Sequence, residues 1–89
     1  MTKTLGKAYV DSGQLLVIDP CYLSDWKDGD YGAGEENDYA KCCNASMSKK
    51  LGGEVHNGVV VGSGYGDGEY EVKAEYEKGR VKSITIKFF

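Results

Sequence analysis

The chain has 89 residues, a formal net charge of −3 and a pI near 5.0, and 40% of it is hydrophobic. That length sets one small domain, residues 1–89, with a single modest core and no buried catalytic chamber. The mildly acidic, mixed-sign surface lacks the basic stripe that duplex nucleic acid requires, no stretch has transmembrane length, and residues 1–13 lack a signal-type apolar run, so a cytoplasmic protein is expected.

In chain order, residues 7–10 read as a short strand, and Asp11-Ser12-Gly13 as a turn. Residues 14–18 (QLLVI) are nearly all apolar, which suits a central strand covered on both faces. Asp19 and Pro20, the one proline, end that strand. Residues 21–26 (CYLSDW) predict one helical turn with Tyr22, Leu23 and Trp26 on one side. Residues 27–37 (KDGDYGAGEEN) are acidic, glycine-rich and irregular, a candidate lid or binding loop.

Residues 38–51 admit two readings. Asp38 caps a short helix with Tyr39, Cys42, Cys43 and Met47 inward, followed by a strand; alternatively Cys43, Ala45 and Met47 alternate along a strand. The first is favoured. Gly52-Gly53 reads as a break, and Val55 with Val59, Val60 and Val61 as the next strand. Tyr70, Val72, Ala74 and Tyr76 alternate with Glu69, Glu71, Lys73 and Glu75, a strand with one apolar face. Residues 77–80 (EKGR) make a hairpin turn with Gly79 at positive φ. Val81 is out of phase with Ile84 and Ile86, so a β-bulge near Lys82-Ser83 is needed. The fold class is mainly β, a β-rich α+β chain: a small antiparallel, partly closed barrel or sandwich of five or six strands with one or two short helices.

Residues 62–70 (GSGYGDGEY) carry four glycines at alternate positions. A dinucleotide fingerprint needs a helix after the glycines, and here a strand follows. A bulged hairpin is favoured over a β-loop-β anion nest, with Asp67-Gly68 a type I′ signal. The acidic residues Asp25, Asp28, Asp30, Glu35, Glu36 and Asp38 do not fit an EF-hand and read as a solvated loop. Cys21, Cys42, Cys43 and His56 lack the paired spacing of a zinc site, and three cysteines make a poor disulfide framework, so no metal or other cofactor is expected. His56, the one histidine, falls in a turn without a spaced nucleophile; Asp11, Asp19 and Asp67 read as turn formers sooner than as a carboxylate cluster.

The segments YVDSGQLLVIDPCYLSDW (residues 9–26), GGEV (52–55) and GSGYGDGEYEV (62–72) resemble a group of small proteins encoded by bacteriophages and prophages. The resemblance implies a phage-derived cytosolic protein of β-rich fold and transfers no catalytic residue. Relatives are expected to carry a proline where Glu71 stands. Small accessory phage proteins often counter host defence, by analogy. The leading expectation is a non-enzymatic binder of a small anionic, nucleotide-like host signal. Its ligand-binding residues are Asp19, Tyr22, Trp26, Gly64, Tyr65, Gly66, Asp67, Gly68 and Tyr70: the aspartates shape the backbone and the aromatics stack. The alternatives are an inhibitor docking on a host protein and a small nucleotide hydrolase using His56 or the aspartates. A homo-oligomer is expected, because subunits this small form deep pockets between them.

Overall fold

A computed structural model describes residues 1–32 and 37–89. Its chain forms two compact units, residues 14–63 and residues 1–13 with 64–89. Among the described residues no helix is long and apolar enough to cross a membrane.

In the first of these units β2 (Gln14–Val17), β3 (Gly52–Val55) and β4 (Gly58–Gly62) form an antiparallel sheet in the order β2-β4-β3. Helix α1 (Asp38–Ser46) packs on it. One face carries Leu16, Val55 and Val60, which meet Cys42 and Ala45 of α1 and the ring of Trp26. Val60 is 1% exposed because it lies at the middle of this cluster. The sequence places residues 14–18 at the centre, but the valine run of β4 takes that position. β2 is an edge strand because it pairs with β4 alone; Leu16 packs on the cluster, and Val17, next to it in the strand, is exposed.

Helix α1 begins one residue earlier than Asp38 predicts, since Asn37 is the cap: its side chain accepts from the Ala40 amide at 2.7 Å. Cys42 is buried as expected, whereas Met47 lies past the helix end and is exposed. Gly52-Gly53 is not a break but the start of β3. At Gly52 a Cβ would stand 2.7 Å from the Val60 carbonyl oxygen, so glycine lets β3 lie close against β4. The β3–β4 hairpin turns on His56 and Asn57, both at positive φ (51° and 66°), the backbone of a two-residue type I′ turn.

In the other unit β1 (Thr2–Val10), β5 (Gly68–Glu77) and β6 (Arg80–Ile86) form a second antiparallel sheet, ordered β1-β5-β6. The first strand begins at Thr2 and not at Lys7, because its earlier residues pair with β5 despite their exposure. Tyr70 and Ala74 are buried with Val10, while the alternate glutamates and Lys73 are exposed. The β5–β6 turn lies at Lys78-Gly79 as read from sequence. Glu75 pairs with Ser83 and Tyr76 with Val81, which leaves Lys82 as the extra residue of the expected bulge.

The described residues are therefore mainly β, with six strands and two short helices, but they form two three-stranded sheets and no closed barrel. The glycine-rich stretch is not a hairpin turn either, since β4 and β5 belong to different sheets. Residues 33–36, including Glu35 and Glu36 of the acidic loop, lie outside the described residues.

Gly52→Ala forces backbone against backbone and is expected to cost about 1–3 kcal/mol. At Gly53 a Cβ meets only the Ala45 methyl at 3.5 Å, so Gly53→Ala is expected to be neutral or stabilising by up to about 1 kcal/mol. Denaturant midpoints of the two variants test this contrast.

Candidate functional site

The expected site residues fall into two groups, one in each unit. Asp19, Tyr22 and Trp26 belong to the 3-10 helix Pro20–Asp25 and its ends. Asp19 caps that helix, its carboxylate accepting from the Cys21 amide at 3.0 Å. The Trp26 ring is half-buried against the core, its edge directed at His56 with ring centroids 5.6 Å apart. Tyr22 and Leu23 are exposed.

Sequence reasoning passed over the interaction at the centre of this group. His56 Nε2 lies 2.8 Å from Asp25 Oδ1 and 2.9 Å from the Tyr22 carbonyl oxygen. Its Nδ1 lies 3.5 Å from Asp38 Oδ2. The ring is 17% exposed and the Asp38 side chain 8%. The same Asp38 oxygen accepts from the Lys27 amide at 2.6 Å, and the Asp38 amide donates to the Lys27 carbonyl at 2.7 Å. Lys27 and Asp38 thus tie together the two ends of the acidic loop.

Acceptors at both imidazole nitrogens favour the cation, in which both are donors. The hydrogen bond to Asp25 is the main cause that raises the His56 pKa above its usual value; the Tyr22 carbonyl and the charges of Asp38 and Asp25 add to it, against the opposing effect of burial. His56 therefore pins the β3–β4 turn to the 3-10 helix and to the base of the loop.

The cysteines are dispersed. Cys42 lies in the core, where burial is the main cause that raises its thiol pKa. Cys43 Sγ accepts from the Gln14 side-chain amide, and Cys21 is exposed. Among the described residues no three histidine, cysteine or acidic side chains gather as metal ligands.

The second group is the glycine-rich segment. Gly64 (φ 76°) and Gly66 (φ 81°) flank Tyr65 in the left-handed region, so Tyr65 is turned out and 64% exposed. Its ring meets that of Phe89, with centroids 4.8 Å apart and planes tilted by 40°. Asp67 Oδ1 accepts from the Gly13 amide at 2.8 Å and so braces the segment against the turn after β1. Gly68 opens β5 opposite Val10. Tyr70, expected as a stacking face, is buried: its hydroxyl donates to the Gly66 carbonyl at 2.7 Å, and its ring packs T-shaped on Phe88. Tyr70 thus supports the segment from beneath, and the outward aromatic pair is Tyr65 with Phe89. Sequence reading missed Phe89 because a bulky residue after a strand carries no signal of what it faces.

No family model matches the chain, and no curated protein or solved structure matches it either.

The raised His56 pKa gives a signed expectation. The stabilisation is complete below the unfolded value of about 6.5 and is lost as pH rises through the folded value. His56→Asn keeps a residue that tolerates positive φ but removes the titration. Denaturation midpoints of wild type and variant should differ most at pH 6 and converge toward pH 9. A constant difference would show that the ring acts by packing alone.

Proposed function

We propose that this chain is a non-catalytic binding protein that recognises a small, anionic, nucleotide-like ligand. The observation that carries this reading is the Tyr65–Phe89 pair, an exposed aromatic platform presented by two left-handed glycines and braced by Asp67 and Tyr70. The Asp67 and Tyr70 hydrogen bonds hold the segment that carries Tyr65, which lowers the ordering cost when a planar ligand stacks on it. Stacking on one aromatic side chain supplies about 1–3 kcal/mol per base.

Hydrolysis is the weaker alternative. A general base needs a free lone pair, and both His56 nitrogens already face acceptors. The resemblance to small phage proteins suggests the setting: capture of a host nucleotide signal, as a counter to defence.

Docking on a host protein is the second reading. It is favoured by Tyr9, which is 72% exposed and stands opposite Glu69. Exposed tyrosines are frequent anchors of protein interfaces.

Calorimetric titration with adenosine and adenosine monophosphate tests the proposal. Tyr65→Leu keeps an apolar residue but removes the π face, and is expected to weaken both ligands by about 1–3 kcal/mol. Unchanged affinity in Tyr65→Leu removes the platform from the site. Absence of nucleotide binding, together with retention of one defined host protein that Tyr9→Ser abolishes, decides for the docking reading.

A further inference from the structure

Beside the aromatic platform, the exposed face of the sheet β1-β5-β6 holds a groove of about 620 Å³. Its floor is the outward row of β5, Glu69, Glu71, Lys73 and Glu75. Thr85 and Lys87 line its side, and Phe88 and Phe89 are also among its walls. The volume lies in the range of small-molecule sites.

The charges in this groove are not equivalent. Glu69 is paired with Lys7 at 3.3 Å, and Glu75 lies 3.9 Å from Lys82, whose nearer partner is Glu77 at 3.4 Å. Among the described residues Lys73 and Lys87 have no ion-pair partner. Lys73 stands directly across from Thr85 in the β5–β6 register, and Lys87, two residues after Thr85 and just past the end of β6, lines the same groove. Diagonal neighbours across a strand pair stand about 7–8 Å apart, and from positions near that spacing two flexible lysine stems can both donate to one phosphate group. Thr85, which lines the same groove, offers a hydroxyl as a third donor. Glu71, two residues before Lys73 on the same face, limits the positive charge and disfavours a polyphosphate.

We infer that Lys73, Thr85 and Lys87 form an anion subsite for the phosphate of a nucleoside monophosphate whose base stacks on Tyr65 and Phe89. This rests on the stacking reading above and adds to it the ligand class and three residues outside the glycine-rich segment: Lys73 and Thr85 on strands, and Lys87 just past the end of β6. Charge-assisted contacts from exposed lysines are screened by salt, so the phosphate contribution should fall as ionic strength rises, while stacking persists.

Amide chemical shifts of the full chain, followed during separate titrations with inorganic phosphate, adenosine and adenosine monophosphate, test the subsite. Phosphate is expected to move Lys73, Thr85 and Lys87, and adenosine to move Tyr65 and Phe89. Lys73→Gln and Lys87→Gln should each weaken the monophosphate roughly tenfold and leave adenosine unchanged. If adenosine binds but phosphate moves none of the three residues and the lysine variants bind normally, the subsite is overturned and the stacking reading stands. If phosphate moves them but adenosine does not bind, the subsite stands and the nucleotide reading is overturned. If neither binds, both are overturned.

Discussion

β4 and β5 follow one another in the chain with five residues between them, yet each is the central strand of its own sheet. Both edges of β4 are taken by β2 and β3, and both edges of β5 by β1 and β6. Neither has a free edge to offer the other, so the intervening residues have to leave one ladder and enter another. Such a path requires backbone conformations that side chains resist, and Gly64 and Gly66 supply them. Tyr65 lies on this path between the two left-handed glycines and is largely exposed, with Phe89 against its ring. A topological constraint thus produces the platform proposed to bind ligand.

The anchors of that segment are polar and few. Asp67 holds the Gly13 amide, and the Tyr70 hydroxyl holds the Gly66 carbonyl from a buried ring. Each satisfies a backbone group that would otherwise depend on water. Phe88 and Phe89 grip Tyr70 and Tyr65 in turn. The arrangement keeps one aromatic residue beneath the segment and one above it.

In the other unit the organising contact is the His56 ring. His56 sits in a turn whose geometry suits few residues, and it reaches carboxylates from the 3-10 helix and from the first turn of α1. Asp38 serves three ends at once: it faces His56, begins α1 and closes the acidic loop on Lys27. A largely buried carboxylate is tolerated there because the Lys27 amide donates to it and the His56 ring stands beside it.

Much of the local structure was legible in the residues. The alternation of β5, the Lys78-Gly79 turn and the bulge at Lys82 are written in period-two patterning and in the phase of Val81 against Ile84. The helical turn after Asp19-Pro20 follows from capping and ring chemistry. Long-range pairing is not local, and there the sequence misleads. The apolar run of β2 has the composition of a central strand, yet the valines of β4 take the centre; Gly52-Gly53 has the composition of a break, yet it is strand because a neighbouring carbonyl needs the space. The Asp25–His56–Asp38 contacts join residues far apart in the chain, and Phe89 meets Tyr65 across 24 positions. The sequence by itself determined which residues turn, alternate and cap, since those preferences act over a few bonds. Only the tertiary structure decided which strands are central, which tyrosine is buried and which lysines are left without partners, because those outcomes depend on what the rest of the chain brings alongside.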